Sequence, residues 1–489
     1  MKLKACLVLL FLWTLSLHAF SYRPLLIVPD SLIVPVGKVR AIHLSGIHTQ
    51  NVSASIENEN IGHLTSSKNT ILVEGLAPGS TRIQFSMDNL IKYTKVYVRE
   101  VTGKFPDRVS LKVTGTQISP ALLRNLIIED LNETIEHNPG ATVNVTIPPK
   151  ALPPSFAEGC ALSLPVKVKI SGDNFHPNPE KMIVNISNET LKLGAPGHLM
   201  VSNNPESFQE PSTLFKAACP DSSPTRIFYH HYNKGNVPYR FVLELTNSDS
   251  NGAKVHVLKG IAGPGIHEIS VGASATERFF NAEKNHLGRV VEINKESSSR
   301  LLAIVVNPKE TISGIVQLTP LTSSKFTVDT KIESISGAVD NAKMAEEIGS
   351  KPKGVFEGPD INLTGEYTVG EHYAFITLGK QSLLSDLETG KPNQGNYGAF
   401  YTIRIKINNP SDESKEVQLS FKPQAGPANG IFLIDESRLI KTPVVQAFAY
   451  YSIEKYRLAA HETKDIVIKT FAQGGSFYPV SLVVHPVEK

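Results

Sequence analysis

Tryptophan is almost missing from this chain of 489 residues: Trp13 is the only one, and it lies in an N-terminal segment that reads as a removable leader. A mature protein would then lack indole faces, the surfaces that sugar- and base-stacking platforms favour. Cysteine is nearly as scarce, with three residues and no Cys-x-x-Cys, which excludes the redox motif of that spacing. Long apolar runs are absent as well. The stretch 5–17 is too short to span a bilayer, and nothing later approaches ~18 uninterrupted apolar residues. No integral membrane segment is therefore expected in the mature chain. Charge of one sign is also lacking: 49 basic residues face 46 acidic ones, mixed along the chain as in NAEKNHLGRVVEINKESSSR (281–300). Phosphate backbones call for clustered positive charge, so no nucleic-acid partner is expected.

What is present begins with an export signal. Lys2 and Lys4 precede the apolar stretch, and Ala19-Phe20-Ser21 places small residues at the spacing a signal peptidase reads. Cleavage is expected after Ser21. The leader 1–21 takes two lysines, Cys6 and Trp13 with it, and the expected location is secreted or periplasmic. Cys160 and Cys219 then remain. In an oxidising compartment such a pair is expected to form a disulfide, worth about 4 kcal/mol in the chain-entropy view; two buried thiols are the alternative.

Residues 22–100 read as short strands separated by Gly, Pro and Asn turns. LIVPVGKVRAIHL (32–44) followed by TILVEGLAPGSTRIQF (70–85) resembles the bacterial Ig-like domain of group 2, and the related N-terminal module of pilus-assembly and secretin proteins. That resemblance covers under a fifth of the chain. It implies a small β-sandwich with a supporting role and no activity of its own. Gly75 and Gly79 are expected to supply positive φ at its turn. The amphipathic hairpins of a secretin pore are not found downstream.

Residues 101–224 read as a mixed β domain carrying one helix, 119–138. Ser119 can cap it, Pro120 suits its first turn, and Asn138-Pro139-Gly140 stops it. Leu122, Leu126, Leu131 and Ile135 share a face, while Glu129, Asp130 and Glu133 are expected to be solvated. Residues 202–224 read as a loop.

The second half carries an internal match. YRFVLELTNSDSNGAKVHV (239–257) aligns without a gap on YTIRIKINNPSDESKEVQL (401–419), Asn247 falling on Asn409. Each reads as a hairpin. Ala-Gly-Pro follows both, and both close on paired strands, 300–321 and 456–471. Two copies of one β-sandwich are expected, at 225–321 and 360–489, with a linker at 322–359 that holds a short helix near 339–348. The fold class is mainly β: tandem Ig-like β-sandwich domains with one α-helix-containing β domain.

Chemistry is harder to find. Gly-x-Ser-x-Gly is absent. His267-Glu268 and His461-Glu462 each begin a zincin pair without the second His, and GKPNQGNYG (390–398) lacks the Lys-Ser/Thr of a phosphate loop. In YHHYN (229–233), His230 and His231 point to opposite faces of a strand and could not share a metal; an aromatic strand edge is the plain reading. Asp249 and Asp412 lie in acidic turns without the spaced oxygens that calcium needs. No catalytic residue, cofactor or metal is expected. The sequence points to an exported non-catalytic protein, a structural, adhesive or binding component of a bacterial cell envelope, associated with pilus, secretion or matrix. Its partners would be other envelope or extracellular proteins, or polysaccharide. The alternatives are a carbohydrate- or ligand-binding accessory protein, marked by an exposed aromatic row, and a secreted hydrolase with a site assembled from distant loops.

Overall fold

The computed structural model describes residues 25–46, 51–106, 108–138, 141–172, 175–220, 222–335 and 343–487. The expected leader, with Cys6 and Trp13, lies outside them, as do Pro139 and Gly140. The chain divides into two compact units: Met1–Thr102 with Ser171–Asn178, and Gly103–Ile170 with Pro179–Lys489.

The first unit is a small sandwich. Strands Ser31–Pro35, Leu90–Val101, Gly79–Met87, Ser53–Ile56 and Phe175–His176 form one sheet, and Val39–His43, Thr70–Gly75 and Gly62–Ser67 the other. Val34, Ile83, Phe85, Val96 and Val98 from the first meet Ile42, Ile71 and Val73 from the second in one core. Gly75 does not supply the positive φ expected of it. Its role is close approach: a β-carbon there would stand 2.7 Å from the Pro35 carbonyl oxygen.

The second unit opens with β1 (Val109–Thr114), helix α1 (Pro120–Thr134), β2 (Thr142–Thr146), β3 (Ala161–Ser171) and β4 (Asn178–Asn188). Ser119 caps α1 through its Oγ, which accepts from the Leu122 N–H at 3.4 Å. The helix stops earlier than 138 because Glu136–His137 pairs with Gly103–Lys104. Leu123, Leu126, Ile127 and Leu131 bury its apolar face over this sheet.

The first sandwich follows: β5 (His198–Ser202), β6 (Ser212–Ala218), β7 (Thr225–Asn233), β8 (Tyr239–Asn247), β9 (Ala253–Gly265), helix α2 (Glu268–Lys284), β10 (Gly288–Ile293), β11 (Ser297–Val306), β12 (Thr311–Pro320), β13 (Phe326–Ser334) and β14 (Lys353–Glu357). The expected loop 202–224 and linker 322–359 thus carry strands. The described part of the segment read as a helix near 339–348 is extended, Met344 bridging Thr213, and 339–342 lie outside the described residues. Each added strand extends a sheet whose edge would otherwise stand unpaired.

One sheet runs through both regions in the order β2-β3-β4-β1-β10-β9-β12-β7-β5-β14. The helix-bearing layer is therefore continuous with the first sandwich, joined where Lys112 of β1 pairs Val290 of β10. α1 adds a second tie. Arg289 on β10 meets Asp130 at 3.0 Å and also Glu133, and Lys259 on β9 meets Glu129 at 2.9 Å. Glu129, Asp130 and Glu133, expected to be solvated, are instead the docking face of the helix. Burial pushes the Asp130 carboxyl up, opposed by the Arg289 charge, and pulls the Arg289 guanidinium down.

The second sandwich comprises β15 (Asp360–Thr368), β16 (Ala374–Leu378), β17 (Phe400–Asn408), β18 (Lys415–Pro423), β19 (Ile431–Ile434), β20 (Arg438–Lys441), β21 (Tyr451–Leu458), β22 (Thr463–Phe471) and β23 (Val480–Pro486). Its sheets are β15-β17-β22-β19-β20 and β16-β23-β18-β21. In the first sandwich the matching orders are β13-β8-β11 and β7-β12-β9-β10. Six strands thus recur in the same chain order with the same antiparallel neighbours: β7 to β12, omitting α2, and β16, β17, β18, β21, β22 and β23. Leu243 and Ile405 are both buried at matching core positions.

Two details of the expected match are corrected. The aligned segments are not hairpins: β8 and β9 lie in opposite sheets, as do β17 and β18. Strand parity tells which residues face inward but not whether the chain turns back or crosses over. The closing pairs are also out of step, since 300–321 holds β11 and β12 whereas 456–471 holds the end of β21 and β22.

The copies differ where they meet. Between β9 and β10 the first carries α2; between β18 and β21 the second carries the β19–β20 pair. Phe279 and Phe280 of α2 enter a core shared with Phe228, Phe356, Phe400, Ile431 and Phe471. The Arg226 guanidinium lies 5.1 Å from the Phe471 ring centre and bonds Asp360 at 2.9 Å. The sandwiches accordingly form one body, not two beads on a linker.

Candidate binding face

The outer face of the sheet β16-β23-β18-β21 carries a cluster of exposed aromatic rings. Along β16, Ile376 and Leu378 point into the core, so alternation turns Phe375 and Thr377 outward. The cross-strand registers extend that face: Phe375 pairs Val483, Thr377 pairs Ser481, and on the other side of β23, Ser420 pairs Val483 and Lys422 pairs Ser481. Val483 and His485 are outward positions, yet they are only 0% and 4% exposed. A layer of aromatic side chains covers them.

Tyr373, just before β16, stacks on His485 with ring centres 5.3 Å apart and contacts Phe375 at 6.0 Å. Tyr450, just before β21, lies 5.9 Å from His485 and 6.2 Å from Tyr373. Phe375, Tyr450 and Tyr373 remain 50%, 44% and 41% exposed. The Lys422 ammonium sits between rings, 4.4 Å from the centre of Tyr450 and 5.5 Å from that of Phe375, and donates to the Tyr450 hydroxyl at 2.9 Å. Each such cation–ring contact is worth about 0.5–1 kcal/mol at exposed sites.

The floor beneath the rings is polar and satisfied. The His485 Nδ1 lies 2.8 Å from the Pro486 carbonyl, which can only accept, so Nδ1 carries the proton. Nε2 is then the acceptor for the Ser420 hydroxyl at 2.9 Å, and the Gln418 amide donates to Ser420 at 3.1 Å. The Gln424 amide donates to Ser481 at 2.6 Å, and Ser481 meets Thr377 at 2.9 Å. These bonds satisfy the outward polar groups of β18 and β23. The result is a rigid face of rings, amides and one cation.

The residues singled out in the sequence do not gather there. The structure does not join Cys160 to Cys219. Cys160 is exposed between β4 and Ala157, its backbone bonded to Asn188 and Ala157, while Cys219 follows β6, where its N–H donates to the Phe326 carbonyl. Each is held by a different strand, so the expected disulfide is not formed. His230 and His231 do point to opposite faces, but β7 is an inner strand and both are buried. Burial lowers them to about 3 and about 4. Asp249 accepts from the Lys325 N–H at 2.6 Å, and Asp412 meets His461 at 2.9 Å on the surface of its crossing. His267 stands at the N-cap of α2. Residues 390–398 form a structural turn in which Asn393 and Asn396 bond the Tyr397 carbonyl and the Tyr401 hydroxyl. Among the described residues, no group of three or more His, Cys, Asp or Glu could hold a metal ion, and no helix is long and apolar enough to cross a membrane.

The aromatic cluster has no local sequence signal, since its members are spread from Tyr373 to His485. The alternation of β16 and β23, combined with the exposed Phe375, was the signal that could have found part of it.

No protein-family model matches the chain, and no curated protein does. Among solved structures it is similar to domains 4 and 5 of the S-layer protein SbsC, at 22% identity over 16% of this chain and 53% of that one, TM-score 0.14. It is also similar to the insect immune protein hemolin, at 10% identity over 44% and 61% of the two chains, TM-score 0.19, and to a titin tandem of Ig domains, at 10% over 34% and 97%, TM-score 0.15. The chain spans about half the length of the S-layer fragment. At these scores the likenesses carry nothing about function, which has to be argued from the residues of this chain.

Proposed function

We propose that this chain is an exported, non-catalytic binding protein of a bacterial envelope, in which two fused sandwiches hold an aromatic face toward a partner. The observation that carries the reading is the cluster of exposed rings Phe375, Tyr373 and Tyr450 around Lys422. Rings this exposed lose hydrophobic free energy until something covers them, and contiguous exposed apolar patches mark interaction surfaces. The shared core around α2 supports the same reading, because a rigid support reduces the entropy lost on binding. The Ig-like resemblance of residues 32–85 fits a supporting module.

The test uses the full chain and its Tyr373→Ser/Phe375→Ser/Tyr450→Ser variant in sedimentation with envelope fragments. The variant should lose at least tenfold in binding while it keeps a cooperative urea transition at a lower midpoint. Equal sedimentation of the two proteins would refute the face as the binding surface.

A further inference from the structure

We infer that the aromatic face takes an acidic polysaccharide, with sugar rings lying on Tyr373, Phe375 and Tyr450 and a uronate carboxylate on Lys422. This rests on the reading of that face as a binding surface and adds the class of its ligand. Three features lead there.

The rings form a compact open patch, not a pocket. Tyr373, His485 and Tyr450 lie 5.3, 5.9 and 6.2 Å from one another, and Phe375 adjoins Tyr373 at 6.0 Å. A patch of that span offers its exposed rings to one or two sugar residues, each presenting a face of axial C–H bonds to a ring. Tyrosine and phenylalanine supply the flat apolar surface, and tyrosine adds a hydroxyl at its rim.

Polar groups border the patch. Gln418 and Gln424 each spend one amide N–H on the strand floor. An amide carries two N–H donors and a carbonyl, so each keeps hydrogen-bonding capacity for ligand hydroxyls. A partner that is apolar throughout would bury these groups without replacing their bonds to water.

Lys422 decides the charge. Its ammonium is flanked by two rings, which displace part of its hydration, and its hydrogen bond goes to the neutral Tyr450 hydroxyl. Among the ion pairs of the described residues none involves Lys422, although lysines elsewhere, such as Lys331 and Lys469, have carboxylate partners. Covering an unpaired cation with an uncharged ligand costs solvation, whereas a carboxylate offsets that cost.

The experiment is titration calorimetry of the full chain with oligogalacturonate and oligomannuronate, and with the same oligomers after their carboxyl groups are reduced to alcohols. At least one uronate should bind, its affinity falling at least tenfold on carboxyl reduction and falling with added salt. Lys422→Gln should abolish the difference between the acid and the reduced oligomer, while Phe375→Ser/Tyr373→Ser should abolish binding of both; urea midpoints verify that the variants fold. Two results would overturn the inference: no binding of either uronate, or equal affinity of wild type and Lys422→Gln for the acid form. If in either case the triple Ser variant still loses envelope binding, the face binds another partner, such as a protein, and only the ligand class fails. If that variant loses nothing, the binding-face reading fails with it.

Discussion

Asn247 and Asn409 end equivalent strands of the two sandwiches and make the same three hydrogen bonds. Asn247 donates to the Asn251 and Asn294 carbonyls at 2.7 and 3.1 Å and accepts from the Asp249 N–H at 3.1 Å. Asn409 donates to Glu413 and Ala459 at 2.8 and 2.7 Å and accepts from the Ser411 N–H at 3.2 Å. In each case the chain is crossing between sheets, and the second carbonyl belongs to a neighbouring crossing. Asn233, at the end of β7, repeats the device with Val237, Val306 and Gly235. One fully buried amide therefore ties two crossings together, satisfying carbonyls that no sheet ladder can reach.

Replacing Asn409 by Ala should therefore orphan two carbonyls and cost about 2–4 kcal/mol. Asn409→Asp should cost a similar amount although it keeps the size, because it loses both donors. Pro410→Ala, at the exposed tip of the same crossing, should change stability by under ~0.5 kcal/mol. Urea unfolding of the three variants reads the difference; a harmless Asn409→Asp would mean that the amide is not the tie.

The join between the sandwiches depends on a glycine contact. At Gly272 in α2, a β-carbon would overlap the Gly474 carbonyl, and one at Gly260 in β9 would overlap the backbone of Phe279. Gly→Ala inside a helix ordinarily stabilises by ~1 kcal/mol. Gly272→Ala should do the reverse, destabilising by about 1–3 kcal/mol through overpacking. The sign alone, read from thermal unfolding, separates the packed joint from a loosely apposed one.

Much of this architecture was legible as strand parity. Leu243 and Ile405 read as inward and are buried, and Lys406 reads as outward and is exposed. Glu244 also points outward but is held by Lys331 at 3.2 Å, which parity could not show. The crossings were mistaken for hairpins because an Asn-rich turn looks the same in both. α2 was missed altogether, although Val271, Ala275, Phe279 and Ala282 recur at helical spacing; its surroundings read as mixed surface charge. The binding face was least legible of all. Its rings come from β16, the segment before β21, and β23, and the loss of Trp13 weighed against a platform that Tyr and Phe in fact supply.

The buried charges on α1 make a second stability test. Arg289 is 3% exposed and faces Asp130 and Glu133. Arg289→Ala should cost about 3–5 kcal/mol, because two carboxylates lose their nearest cation in a dry contact. Removing the acids as well, in Arg289→Met/Asp130→Asn/Glu133→Gln, should recover most of that loss. A denaturant series over the two proteins measures the recovery; if the single and triple variants were equally unstable, the charges would not be the cause.

Acid should weaken the second unit through three histidines. Burial holds His230 to about 3, and His231 and His256 to about 4. Both His231 nitrogens are engaged in its neutral form: Nδ1–H donates to the Pro205 carbonyl at 3.0 Å and Nε2 accepts from Ser202 at 3.0 Å. His256 uses Nε2–H toward Thr114 at 2.8 Å, because the Thr114 hydroxyl itself donates to the His286 carbonyl. A histidine whose folded pKa lies below its unfolded value of about 6.5 leaves more protons on the unfolded chain as pH drops. Its contribution is complete above pH ~6.5 and is lost as pH falls toward its folded value. By pH 5 the loss is about 2 kcal/mol for each of the three. The urea midpoint should accordingly drop between pH 7 and pH 5, and His231→Gln, which can keep the bond to Pro205, should show a shallower drop. Equal slopes for wild type and His231→Gln would mean that His231 is not buried in its neutral form.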